Sequence, residues 1–171
     1  MQNEELVTIL SYLCYNNYKT NDINKILGFY PRMKMLTCRL KTKSSLTNIL
    51  ESFEYKPLEK ELFLKSIDKT EKIIGLIKNV ILNGNPTKEG LNEILNVKGL
   101  LRFSRSYQEF YIMWMLLMDV NADTIADSRK EFLQDIHELL RKLKNVDEVE
   151  VDSLYVENFL KTMSGIKKKY L

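Results

Sequence analysis

The positively charged side chains of this sequence are concentrated near its start, in the stretch TNDINKILGFYPRMKMLTCRLKTK (residues 20–43). Between Asp22 and Glu51 the sequence contains no acid. Residues 1–50 hold seven Lys or Arg and three Asp or Glu, a local charge of +4, whereas the whole chain carries +3. Lysine and arginine at this density can bind phosphates, and arginine can also hydrogen-bond to base edges. The charge pattern therefore indicates a surface for an anionic partner.

The spacing within this stretch resembles the general helix-turn-helix pattern, in which a T-x-x-I-x-x-x-L-G opening precedes the recognition helix. Residues 20–28, TNDINKILG, match that opening. The resemblance covers about 40 residues and names no family. It implies a short helix over about 22–27, a turn at Gly28, and a second helix that begins at Pro31 and reaches about Lys41.

In that arrangement Lys34, Cys38 and Lys41 point away from the core, and Leu36 and Leu40 anchor the second helix. The basic side chains would then contact phosphates or base edges of double-stranded DNA. The alternative is a helical corner whose lysines are only solvated. The residues predicted to bind nucleic acid are Lys34, Arg39, Lys41, Lys43, Arg32, Lys25 and Lys19.

Catalytic and metal-binding patterns are absent from the sequence. His137 is the only histidine, and two cysteines about 24 residues apart do not have the spacing of a zinc site. The acids Asp123, Asp127, Glu131 and Asp135 follow one another every four residues, which predicts a solvated helix face. No phosphate-binding loop or nucleophile elbow occurs. We therefore expect a protein that is not an enzyme and uses no metal or cofactor.

The run RFSRSYQEFYIMW (residues 102–114) places arginines beside aromatic side chains. Such interleaving can stack on bases or anchor a protein partner. We favour the simpler interpretation, in which the aromatic residues belong to the core and the arginines only flank the start of a helix.

Three features predict the cellular location. Cys14 and Cys38 carry no disulfide spacing signature, and the start MQNEELVTIL has acids where a secretion signal would be basic. The longest apolar run, FYIMWMLLM, has nine residues, whereas a membrane span needs about 20. These features predict a cytoplasmic protein with reduced thiols and no membrane segment.

Hydrophobic spacing and capping residues predict an all-α bundle of about nine helices with no strand. The helix predicted at about 107–118 follows a capping box at Ser106 and Glu109, and it is apolar enough to form the centre of the bundle. The predicted helices cover about 4–16, 22–27, 31–41, 44–53, 57–82, 88–98, 107–118, 124–144 and 153–166. Three of their predicted caps are Asn21, Thr87 and Asp152. The C-terminal residues KKKYL are expected to fray.

The most natural boundary is the polar stretch at 42–45. It would separate a helix-turn-helix-like basic element (1–43) from a helical bundle (44–171), unless 1–171 is one continuous domain. Two functions then compete. The first is a small DNA-binding regulator of transcription or replication. The second is a helical protein–protein interaction module, a subunit, adaptor, inhibitor or homodimer, with no role on nucleic acid.

Overall fold

The computed structural model describes residues 3–20, 22–41, 43–83, 87–96 and 108–171, and this part of the chain is mostly helical. Nine α-helices and one antiparallel hairpin make up the fold of these residues, so the predicted all-α architecture is confirmed. In chain order the elements are α1 (Asn3–Lys19), α2 (Ile23–Ile26), β1 (Leu27–Arg32), β2 (Met35–Leu40), α3 (Lys43–Ser52), α4 (Pro57–Leu76), a π-helical turn (Ile77–Ile81), α5 (Lys88–Leu95), α6 (Gln108–Leu117), α7 (Ala122–Asp127), α8 (Arg129–Leu143) and α9 (Ser153–Lys169).

Helix α6 forms the centre of the core. Every side chain from Tyr111 to Leu117 is buried, and Trp114 is fully enclosed. Helix α9 and strand β2 contact α6, and α8 packs against both of them. A helix that is apolar on all faces has no side to present to water, which is why the run FYIMWMLLM occupies this position. In the described ranges no helix is both long and apolar enough to cross a membrane.

Helices α1 and α4 pack side by side. The ring of Tyr15 lies 5.9 Å from that of Phe63, and the Thr70 hydroxyl donates to the sulfur of Cys14 at 3.6 Å. The main buried core contains side chains from α1, α2 and the hairpin together with side chains from α4 to α9. The N-terminal elements therefore share a core with the bundle, and the boundary near residue 43 stays a prediction.

The predicted recognition helix at 31–41 is wrong, because these residues form most of a β-hairpin. Leu36 and Leu40 are four residues apart, which fits one face of a helix and also one face of a strand, since four is a multiple of the strand period of two. The intervening Cys38 is buried as well, and Thr37 is half-buried. That alternation, together with the strand preference of Thr and aromatic residues, favours the extended form.

Helix α2 is also shorter than predicted. It has four residues, and the carboxylate of Asp22 caps it by accepting from the N–H of Asn24 at 3.0 Å. The sequence had suggested Asn21 as the cap, and that residue lies outside the described residues. The helix ends at Ile26, because the chain enters β1 directly at Leu27.

The predicted helix at 124–144 is two helices, α7 and α8, separated at Ser128. Helix α7 begins earlier than predicted because Asn121 caps it, its side chain accepting from the N–H groups of Asp123 and Thr124. Arg129, the first residue of α8, reaches across to the end of the π-helical turn. Its guanidinium donates to the carbonyls of Val80 and Ile81 at 2.7–3.2 Å.

The C-terminal residues were expected to fray, and this is wrong for Tyr170. Its ring is buried and packs edge-on against Phe132, with the ring centroids 5.0 Å apart. Its hydroxyl donates to Asp135 at 2.5 Å, and burial followed by this carboxylate raises the pKa of Tyr170 to about 12. The end of α9 is therefore fastened to α8.

Candidate nucleic-acid interface

Most of the basic stretch of the sequence forms a β-hairpin with a two-residue turn. Arg32 pairs with Met35, and Met33 and Lys34 form the turn with φ values of 51° and 64°. Two successive residues with positive φ characterise a type I′ turn, whose twist matches that of the strands. A turn of this type normally contains Asn or Gly. Neither residue is present here, and for this reason no hairpin was predicted.

Pro31 is accommodated by the register of the hairpin. The N–H of Cys38 points away from β1, since it donates to the side chain of Gln108 at 3.1 Å. Cys38 and its partner Phe29 therefore form a non-hydrogen-bonded pair of the antiparallel ladder. Such pairs recur every two residues, so Pro31 and its partner Leu36 form another. A proline there costs the ladder no hydrogen bond.

One face of the hairpin packs on the bundle. Leu27, Leu36 and Cys38 are buried, and the ring of Phe29 lies 5.3 Å from that of Phe159 on α9. Burial, and then the nearby carboxylate of Glu109, raises the pKa of Cys38 to about 12. Cys38 is therefore a neutral core thiol, and it does not share an outward face with Lys34 and Lys41 as the helical wheel predicted.

Two side chains of the bundle hold the outer edge of β2 and the hairpin turn. Gln108 at the start of α6 accepts from the N–H of Cys38, and Asn145 after α8 donates to the carbonyl of Lys34 at 2.6 Å. Both Gln108 and Asn145 are buried. Sequence reasoning missed both anchors, since they lie 70 and 111 residues from their partners and form no local pattern.

The other face of the hairpin, together with its turn, is basic and turned to solvent. Arg32, Lys34 and Arg39 are exposed. In the described ranges no carboxylate lies within ion-pair distance of these three side chains. The guanidinium of Arg39 lies 4.7 Å from the ring centroid of Tyr30, a cation–π contact. We call Tyr30, Arg32, Lys34 and Arg39 the hairpin basic face.

Of the other predicted binding residues, two flank this face and one is withdrawn from it. Lys25 is exposed on α2, and the ammonium of Lys41 donates to the carbonyl of Asn24. Lys19 forms an ion pair of 2.7 Å with Glu59 on α4 and lies over the ring of Tyr15. The side chain of Lys43 lies outside the described residues.

An acidic segment lies beside the hairpin turn. Asn145 donates to Lys34 and also bonds to both main-chain groups of Val149, with distances of 2.7 Å and 3.1 Å. The segment 147–152 contains four acids and no base. These exposed acids are Asp147, Glu148, Glu150 and Asp152.

The other candidate residues with described positions make structural contacts. The imidazole Nε2 of His137 lies 2.6 Å from the carbonyl of Ile94, and Tyr111 and Trp114 belong to the core. Arg102 and Arg105 lie outside the described residues, as does the predicted cap Ser106. Among the residues with described positions, no three His, Cys, Asp or Glu side chains are grouped to hold a metal ion.

The acidic row on α7 and α8 is partly neutralised. Lys169 lies between two of its members, with N–O distances of 2.6 Å to Glu131 and 3.0 Å to Asp135. These hydrogen bonds raise the pKa of Lys169 above its usual range. The row thus helps to fasten the C-terminal end of α9, in addition to being a solvated face.

A comparison with protein-family models, with curated proteins and with solved structures finds no significant match to this chain.

Proposed function

We propose that this protein binds double-stranded DNA and that the hairpin basic face is the binding surface. The observation that carries the proposal is the exposure of Arg32, Lys34 and Arg39 without a carboxylate partner in the described ranges. Basic side chains that are not already neutralised can pair with DNA phosphates and release the cations condensed on the DNA, and this release drives the binding of basic proteins to DNA.

The shape of the hairpin supports a groove-binding mode. The major groove of B-form DNA is about 12 Å wide and admits a two-stranded ribbon, whose strands lie about 4.8 Å apart. Alternate residues of each strand project from the outward face, so Arg32 on β1 and Arg39 on β2 lie on the same side. The binding element is thus a ribbon, in place of the recognition helix that the sequence suggested.

The residues of this face are suited to distinct contacts. Arg39 rests on the ring of Tyr30, which limits its side-chain freedom while leaving the edge of the guanidinium available for a base or a phosphate. Lys34 occupies the tip of the turn, which would enter the groove first. Lys25 and Lys41, at the other end of the hairpin, are placed to contact the phosphate backbone.

The bundle holds the ribbon in place. Gln108 holds the edge of β2, Asn145 holds the turn, and Phe159 packs beneath β1. A binding element whose backbone is held in place loses less conformational entropy on association than a mobile loop does.

The test is a fluorescence-anisotropy titration of a labelled DNA duplex with wild-type protein and with the triple variant Arg32→Gln, Lys34→Gln, Arg39→Gln. We expect binding at low salt and at least about tenfold weaker binding by the variant, because it loses about three phosphate contacts. The matched control, Lys60→Gln, Lys78→Gln, Lys130→Gln, removes the same charge from exposed positions on other elements and should bind within about twofold of wild type.

Equal losses in the two variants would mean that only net charge matters and would contradict the assignment to the hairpin. Absence of binding by wild type at low salt would contradict the proposal itself. A duplex RNA of the same sequence serves as a second control, since the major groove of A-form helices is too deep and narrow for side chains to read.

A second candidate function is protein–protein interaction through the corner between α3 and α4. Tyr55 and Leu58 are 81% and 80% exposed, which is unusual for large apolar side chains three residues apart. Self-association of this corner would cover both. Sedimentation velocity should then show a dimer that Tyr55→Ser, Leu58→Ser converts to a monomer, whereas a monomeric wild type would argue against it.

A further inference from the structure

A cleft of about 500 Å³ opens on the side of the molecule formed by α1, α4 and the connection from α6 to α7. Its volume lies within the range of about 300–1,000 Å³ that is typical of small-molecule sites. The floor of the cleft is apolar. It consists of Ile73, Leu76, Leu117, Met118 and Val120.

The rim of the cleft is cationic. Lys65, Lys69 and Lys72 are spaced by four and three residues, so they lie along one face of α4, and Asp68 is the single acid of the lining. Tyr18 closes the rim from the end of α1. An apolar floor below a basic rim is complementary to a molecule with an apolar body and an anionic group.

Lys69 is fixed in the wall of the cleft. Its ammonium lies 3.2 Å from the carboxylate of Asp119 and 4.8 Å from the ring centroid of Tyr18. Asp119 also accepts from Asn17 at 2.8 Å and pairs with Lys167 at 2.7 Å. This network uses the charge of Lys69 internally and sets the position of the wall.

The other two lysines keep most of their charge for a ligand. No carboxylate of the described residues lies within ion-pair distance of Lys72, which is exposed. Lys65 pairs with Glu61 at 3.4 Å, but both side chains are more than 60% exposed, and such a pair is weak.

We propose that this cleft is a binding site for an amphipathic organic anion of the medium-chain carboxylate class. The apolar chain lies on the floor between Leu76 and Val120, where it leaves water, and the carboxylate meets the ammonium of Lys72 at the rim. Lys65 adds attraction at longer range. The site is separate from the hairpin basic face and does not depend on the proposed DNA binding.

The test is isothermal titration calorimetry of the intact protein with decanoate. We expect one saturable site per chain. The double variant Lys65→Gln, Lys72→Gln should bind about tenfold more weakly, because it loses the ionic contact of Lys72 and the longer-range attraction of Lys65. Ala122→Trp places a large ring at the mouth of the cleft, at an exposed residue of α7, and should abolish binding without disturbing the core.

Two comparisons separate this site from non-specific binding. The cationic analogue decyltrimethylammonium and the matched variant Lys60→Gln, Lys78→Gln test the role of charge. We expect little binding of the first and unchanged decanoate affinity for the second. Chemical-shift mapping should show decanoate shifts at Leu76 and Val120. Absence of saturable binding, equal affinity for the cationic analogue, or undiminished binding by Ala122→Trp would each overturn the proposal.

Discussion

The side-chain amide of Asn145 donates a hydrogen bond of 2.6 Å to the main-chain carbonyl of Lys34 in the hairpin turn. The same amide donates to the carbonyl of Val149 at 2.7 Å, and its oxygen accepts from the N–H of Val149 at 3.1 Å. One buried side chain therefore holds the basic turn and the acidic segment 147–152 side by side. This arrangement places opposite charges together at the end of the hairpin.

Replacement of Asn145 should loosen this end of the molecule. Asn145→Ala removes three hydrogen bonds and puts alanine at a φ of 52°, where asparagine is better tolerated, so we expect a loss of about 3 kcal/mol in the free energy of unfolding. Urea denaturation measures it. Asn145→Gly accepts the backbone angle and should lose less than Asn145→Ala. A stability within about 0.5 kcal/mol of wild type for both variants would contradict the anchoring role.

The acidic segment should oppose DNA binding. Phosphates at the hairpin tip would approach the acids of the segment within about one Debye length, so their repulsion is felt at low salt. We expect the variant Asp147→Asn, Glu148→Gln, Glu150→Gln to bind duplex DNA about threefold or more tightly, and the gain to vanish at high salt. Anisotropy titrations at two salt concentrations measure this.

The matched control for the acidic segment is Glu54→Gln, Glu71→Gln, Asp127→Asn, which removes three exposed acids from other elements. It should gain less than the segment variant. An equal gain in both would show that the acids act through net charge alone, independently of their position beside the turn.

The ion pair between Lys144 and Glu109 should be essential for stability. The two groups are 2.6 Å apart, and the Glu109 side chain is only 3% exposed. Lys144→Met leaves a buried carboxylate without its counter-charge, and we expect a loss of about 3 kcal/mol in unfolding free energy. Adding Glu109→Gln to the same chain should restore much of it. If the double variant is less stable than Lys144→Met, the loss comes from packing.

Asp119 should give a pH-dependent contribution to stability. Burial alone would raise its pKa, but the hydrogen bond and charge of Lys167, the charge of Lys69 and the hydrogen bond from Asn17 hold the pKa below its usual value. A depressed folded-state pKa contributes stability above the unfolded value of about 3.9, and this stability is lost as the pH falls through the folded value. Asp119→Asn should therefore be about 2 kcal/mol less stable near neutral pH.

The difference between Asp119→Asn and wild type should shrink as the pH falls below about 4. Urea midpoints of the two proteins across the acid range provide the measurement. A gap of constant size at every pH would assign the effect of the substitution to packing and remove the electrostatic explanation.

Local signals were enough to predict most of the helices. The caps at Thr87 and Asp152 were recognised from the sequence, and each side-chain oxygen accepts from a backbone N–H of its own helix, that of Gly90 or that of Tyr155. The burial of α6 followed from its composition alone, because an apolar run of this length has no polar face. Such features depend on residues within one or two turns of each other.

The hairpin could not be predicted from such local signals, because the contacts that stabilise it join residues far apart in the sequence. Leu36 and Leu40 fit both periods, and the turn residues Met33 and Lys34 are not those that normally adopt positive φ. The hairpin is held by Gln108 and Asn145, which lie 70 and 111 residues further along the chain than their partners. Exposure of the basic side chains was anticipated for Lys34 and Arg39, whereas the pairing of Lys19 with Glu59 was not.

The salt dependence of DNA binding tests the central claim most directly. If the hairpin basic face contacts about three phosphates and Lys25 and Lys41 contact about two more, a plot of log Kobs against log salt concentration should have a slope of about −4.5 for wild type. The variant Arg32→Gln, Lys34→Gln, Arg39→Gln should have a slope of about −2, because only the contacts of Lys25 and Lys41 remain. Equal slopes for the two proteins, or a wild-type affinity that does not change with salt, would contradict binding through this face.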